Sequence, residues 1–155
     1  MTLRPAGEDD LPTLFEIQLD EEAQHLAAFV GEAARDREAY LDKYRKILAN
    51  PEITTKVVEI DGEVVGSVAV FPMEGDIELT YWIRKDMWGR GVATAAVAAL
   101  LEDVTVRPIH ARVVEDNTGS ARVLERNGFV RIGSDEGFAE ARQATVAELI
   151  YKLSG

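Results

Sequence analysis

The spacing of apolar residues divides the chain into stretches of two periods. Over residues 8–29, "EDDLPTLFEIQLDEEAQHLAAF", Leu11, Leu14, Phe15 and Leu19 recur at helical spacing and predict one or two helices. In "REAYLDKYRKILAN", residues 37–50, Tyr40, Leu41, Tyr44, Ile47 and Leu48 share one helical face, and Pro51 lies just beyond the end. The period then changes. "TTKVVEI" and "EVVGSVAVF" flank Asp61-Gly62, a two-residue hairpin signal. In "IELTYWI" the apolar Ile77, Leu79, Tyr81 and Ile83 alternate with Glu78, Thr80 and Trp82, as strand faces do. An alanine-rich helix follows, running to about Asp103, and then a strand, "IHARVV". "NTGSARVLERNG" reads as a helix between an Asn117 cap and a terminating Gly128. "TLRP" is a short first strand, and "FVRIG" and "AELIYKL" are closing strands.

This order predicts an α/β (α+β) fold. It is a mixed, mostly antiparallel central sheet of about seven strands flanked by about four helices, in one domain over residues 1–155. The length and the 46% hydrophobic content suit a folded domain of that size. Charge narrows the partners. With 28 acidic and 17 basic residues the net charge is −11, so nucleic acid is disfavoured. The absence of cysteine excludes disulfides, thiolate metal sites and a cysteine nucleophile, and fits a cytoplasmic protein. The first residues lack the apolar core of a signal peptide, and no run approaches the ~20 apolar residues of a membrane span. His25 and His110 have no second ligand at metal spacing, so no metal is expected and both read as packing residues.

The chemistry-bearing stretch is "MWGRGVATAA", residues 87–96. Gly89 and Gly91 stand at the mouth of a helix that follows a strand, the place where open α/β sheets bind ligands. Bare backbone, unpaired first-turn N–H groups and the helix dipole together make an anion site suited to a pyrophosphate. Arg84, Lys85 and Arg90 face one acid, Asp86, in residues 81–90, a basic patch on an acidic chain. A glycine-containing strand-to-helix loop with solvated basic side chains fits the same residues.

"YWIRKDMWGRGVATAAV", followed by "NTGSARVLERNGF", resembles the GNAT superfamily of acyl-CoA-dependent N-acetyltransferases. The nearer likeness is to the branch of ribosomal-protein N-terminal acetyltransferases and related small-molecule acetyltransferases. Trp82, Trp88, Gly89, Gly91, Ala93 and Thr94 match its first motif, and Asn117, Ser120, Val123, Leu124, Glu125, Gly128 and Phe129 its second. The resemblance implies acetyl-CoA as co-substrate. The backbone of Gly89, Arg90, Gly91, Val92, Ala93 and Thr94 would cradle its pyrophosphate. The pantetheine arm would pair with backbone near Trp82, Ile83 and Arg84, with Trp88 close by and Asn117 holding the arm from the far side. Asn117 is equally a plain helix cap.

Transfer to an amine needs a base, because most amines are protonated at neutral pH. Glu78 stands where the family often carries a catalytic glutamate, and it is equally an ordinary ion-paired strand residue. The family's usual proton donor, a tyrosine seven residues after the asparagine, is replaced by Leu124; Ser120 or solvent is the substitute. Residues 8–22 hold seven acids and no base, so the first helices are expected to offer a cationic amine an acidic rim, or simply a solvated face. The implied acceptor is a small-molecule amine, an amino sugar or a peptide N-terminus. Relatives imply a homodimer. A non-catalytic acyl-CoA-binding module is the alternative reading.

Overall fold

A computed structural model of the chain describes residues 1–30 and 32–155. In chain order the elements are β1 (Thr2–Pro5), α1 (Leu11–Gln18), α2 (Glu21–Ala27), α3 (Arg37–Ala49), β2 (Thr54–Ile60), β3 (Glu63–Met73) and β4 (Asp76–Ile83). Then come α4 (Val92–Asp103), β5 (Ile109–Val114), α5 (Thr118–Arg126), β6 (Val130–Ala139) and β7 (Ala144–Leu153). The seven strands form one sheet in the order β1-β2-β3-β4-β5-β7-β6. Every neighbouring pair is antiparallel except β4 and β5, which run parallel.

The stretch read as one or two helices is two. Asp20 breaks it, because its carboxylate accepts from the Ala23 N–H at 2.9 Å and starts α2 afresh. The α-helices therefore number five among the described residues, in line with the expected about four. Alternation along the strands builds a core on each side of the sheet. Val57 and Val58, both 0% exposed, point opposite ways. Val57 joins Leu11, Leu14, Phe15, Tyr40 and Leu41 under α1 and α3. Val58 joins Val68, Leu79, Val97, Leu100 and Leu124 under α4 and α5. The same rule divides β4: Tyr81 packs on the α4 side and Trp82 on the α1 side.

The last two strands are longer than their apolar cores predict. "FVRIG" and "AELIYKL" are the inner parts of a ten-residue hairpin pair that continues through Asp135, Glu136 and Thr145. That outer part carries polar residues because β6 is the sheet edge, where solvent reaches both faces.

Polar groups tie the N-terminal elements together. Buried Asp10 takes a forked bond from Arg4, at 2.9 and 2.7 Å, and a third from the Gly7 N–H at 2.8 Å. Arg4 holds the Asp10 carboxyl below its ordinary value of 3.8. A carboxyl depressed by folding adds stability above its unfolded pKa and loses it as pH falls through the folded one. Asp10→Asn is therefore expected to lower stability at neutral pH and to flatten its decline below about pH 4. Urea melts of both proteins from neutral pH down to about pH 3 test this; parallel curves for the two would refute it.

Candidate active site

β3 and β4 define where the sheet opens. The Arg84 N–H donates to the Val65 carbonyl at 2.7 Å, which sets the phase of the ladder. In an antiparallel pair backbone groups alternate in direction, so those of Leu79, Tyr81 and Ile83 turn toward β5. β4 and β5 are bridged only at Glu78 and His110, and beyond that point they diverge. Gly66 assists the divergence: a Cβ there would lie 2.2 Å from the Trp82 carbonyl oxygen and 3.1 Å from the Ile83 Cα. Glycine thus lets β3 and β4 press together at the end where β4 leaves β5.

The gap is continuous with a cleft of about 670 Å³, within the range of small-molecule sites. It crosses the sheet from α2, past the ends of β4 and β5, to α4 and α5. At one end Gly89 and Gly91 adopt left-handed backbone, with φ of 76° and 77°. Nothing lies within 4 Å of where a side chain would begin at either residue. Gly91 caps α4, and no side chain closes that helix end. Open space over an uncapped helix N-terminus fits a pyrophosphate, and the diverging strands fit an extended arm beyond it.

Most of the residues singled out from the sequence meet here. Trp82, Ile83, Trp88, Gly89, Gly91, Val92, Ala93, Thr94, Asn117 and Ser120 line the cleft. The Trp88 indole N–H donates to the Ile83 carbonyl at 2.7 Å, so that carbonyl already has a partner. Asn117 is a cap: its Oδ1 accepts from the Ser120 N–H at 3.3 Å. That bond uses the amide oxygen and not the amide NH₂, so capping leaves the NH₂ available to a ligand.

Three expected residues stand off the wall. The Arg84 guanidinium turns away to Glu63 and Asp86, which draw it out of the cleft. Arg90, between the two glycines of the turn, is exposed. Glu78, 8% exposed, lies behind Arg112, whose Nε is 3.7 Å from its carboxylate. Burial raises the Glu78 pKa above its ordinary 4.5, and Arg112 and His110 oppose that rise. Arg112 in turn meets Glu148 at 3.2 Å, and both line the cleft.

The basic patch is largely consumed locally. Lys85 pairs with Glu22 at 3.0 Å, as Arg84 does with its two acids. The cations on the wall are instead Arg112, Arg122 and Arg126. Arg122 and Arg126, on the exposed side of an amphipathic helix, gave no signal in the sequence beyond ordinary solvated charge.

The acidic stretch 8–22 is similarly divided among structural tasks. Asp10 holds Arg4, Asp20 caps α2, and Glu8 faces Arg45 at 3.5 Å. Glu22 alone of the seven lines the cleft.

One residue on the wall was missed. The Tyr81 hydroxyl is hydrogen-bonded to the Ser120 hydroxyl at 2.5 Å, from β4 to α5. Burial pushes the Tyr81 phenol up to about 12. Alternation placed Tyr81 on the core face correctly, and an aromatic in that pattern reads as packing alone. Leu124, where a tyrosine was sought, is 1% exposed in the α4-side core. No group of three or more metal-ligating side chains gathers among the described residues. No helix among them is long and apolar enough to cross a membrane.

With this cleft described, its affiliation follows. Residues 1–130 match the family described as the acetyltransferase (GNAT) domain, and the chain belongs to that family. Its structure resembles the Mycobacterium smegmatis RimJ in complex with CoA-disulfide, at 25% identity over 99% of this chain and 81% of that one, with a TM-score of 0.81. It also resembles the ribosomal-protein-alanine N-acetyltransferase from Brucella melitensis, at 21% identity over the whole of both chains, TM-score 0.76. yncA from Salmonella typhimurium, with its cofactor acetyl-CoA, is similar at 19% identity over 99% and 93%, TM-score 0.81. No curated protein matches the sequence.

Proposed function

We propose that the protein transfers the acetyl group of acetyl-CoA directly to a primary amine. The observation that carries this is the pair of left-handed glycines opening onto the uncapped end of α4, beside a strand gap bridged only at Glu78 and His110. Main-chain N–H groups from Gly89 to Thr94 hold the pyrophosphate, and the backbone of β4 that turns toward the gap around Trp82, at Tyr81 and the Ile83 N–H, pairs with the pantetheine arm. Arg122 and Arg126 add positive charge along that route.

The amine enters from the α2 side, between Glu22, Leu26 and Ala27 and the Trp82 ring. Glu78 accepts its proton. Because Arg112 separates Glu78 from the cleft, the proton reaches it through a water. Ser120 places a hydroxyl on the α5 wall of the cleft, on the helix that lacks the family's tyrosine. The acceptor is a small cationic amine, an amino sugar or a peptide N-terminus. The names of similar structures span that range, from ribosomal-protein-alanine acetyltransferases to AAC(6')-Ib in complex with ribostamycin and coenzyme A.

Thermal unfolding tests the cofactor site. At about 100 times the dissociation constant, acetyl-CoA should stabilise the protein by about 2.7 kcal/mol. For a domain of this size that raises Tm by roughly 5–11 °C. No shift at millimolar acetyl-CoA would sink the proposal. Release of free thiol in the presence of an amine panel then separates an enzyme from a binding module, which binds without releasing thiol.

A further inference from the structure

We propose that Tyr81, held by Ser120, is the hydrogen-bond donor to the leaving sulfur, taking from β4 the place that Leu124 leaves empty on α5. This rests on the acetyl-CoA reading above. Three observations support it. The first is position. Tyr81 lies three residues past the Glu78–His110 bridge, where β4 and β5 have parted, and it lines the cleft opposite Asn117 and Ser120. Its hydroxyl reaches from β4 to α5 across the gap that the acyl arm must thread. The second is hydrogen-bond arithmetic. Two hydroxyls own two hydrogens and share one bond, so one hydrogen remains to donate into the cleft. The pair admits either direction, and with Ser120 donating to the phenol oxygen the phenol keeps its own hydrogen for the cleft. The third is the surrounding chemistry. Tyr81 stays protonated through the neutral range, since burial lifts it to about 12, so it is a dependable donor and not a base.

The step balances without a further reactant. The amine nitrogen forms the N–C bond and gives its proton to Glu78, which passes it to solvent. The C–S bond breaks, and its electron pair goes to sulfur, which leaves as a thiolate held by the Tyr81 O–H. The thiolate takes its proton from water as it departs, and Tyr81 keeps its own. The charged groups sharing the cleft are Glu22, Arg112, Asp116, Arg122, Arg126 and Glu148, and none is altered by removing one hydroxyl.

The test uses coenzyme A itself, whose bound thiol reports its ionisation through the ultraviolet absorbance of the thiolate. A hydrogen bond to a charged group is worth enough to move a pKa by about one to two units. Bound to the wild type, the thiol should therefore ionise about one to two pH units lower than when bound to Tyr81→Phe. Calorimetry should find coenzyme A affinities within about twofold, so the phenyl ring keeps its packing role. Ser120→Ala should shift the thiol in the same direction by less, and it serves if the tyrosine variant does not fold. Identical thiol titrations in all three proteins, each with coenzyme A bound, would overturn the inference while leaving the acetyl-CoA reading intact. A wild type that binds no coenzyme A would overturn both.

Discussion

Glu78→Gln is expected to lower kcat by about 10²–10⁴-fold, the range for loss of a positioned base, with acetyl-CoA affinity nearly unchanged. The asymmetry follows from placement. Glu78 sits at the last bridge between β4 and β5, on the face opposite Leu79, and does not line the cleft. The pH profile gives the sharper test. A base works only when ionised, so activity should rise with pH through the Glu78 pKa. Burial holds that pKa above the ordinary 4.5, so the acidic limb should lie above that of an exposed glutamate. The limb should vanish in the glutamine variant. Equal turnover in the two proteins at several pH values would remove Glu78 from the mechanism and leave it as the ion-pair partner of Arg112.

Gly66→Ala should be the most damaging small substitution in the sheet. Its backbone does not need glycine for torsional reasons, since φ is not in the left-handed region. The obstacle is the neighbouring main chain: the new methyl would meet the Trp82 carbonyl oxygen at 2.2 Å, and a ladder carbonyl cannot rotate aside. Overpacking typically costs 1–3 kcal/mol, and a backbone clash places this case at about 3 kcal/mol. Tm should fall by roughly 6–12 °C. Relief comes only by moving the end of β4 toward β5, so the variant should also lose affinity for acetyl-CoA in calorimetry below its melting range. A stable variant with full affinity would show that the sheet yields elsewhere and that Gly66 does not set the gap.

Much of this was legible in the sequence, and the exceptions have physical causes. Short-range signals were reliable. Asp61-Gly62 joins β2 to β3, Pro51 follows α3, and Gly89 and Gly91 mark the turn into α4. These signals act through local torsions, which a sequence states directly. The ends of β6 and β7 were under-read because their outer halves are held by pairing with each other, through residues such as Asp135 with Glu148 and Phe138 with Thr145. Periodicity does not carry that pairing where both faces meet solvent. The functional faces show the same division. The sequence placed Trp88, Asn117 and Ser120 near one another through motif order, and they do line one cleft. The Arg84 side chain is held by Asp86, a neighbour in sequence, and by Glu63, which only the pairing of β3 with β4 brings alongside. The pairing of Tyr81 with Ser120 joins residues far apart in sequence, and nothing local at either residue announces it.

The glycine turn before α4 also bears on how far such a protein can drift. A ligand gripped by main-chain N–H groups is indifferent to most of the side chains that project from the same backbone. What heredity must preserve is then two permissive torsions and the tilt of a strand, a small number of letters. The fold itself is shared with yncA at a TM-score of 0.81 with agreement at only 19% of positions. The α2 side of the cleft is lined by side chains, among them Glu22, Leu26 and Ala27, and has no such latitude; if the amine enters there as proposed, changes of substrate would be written in those residues.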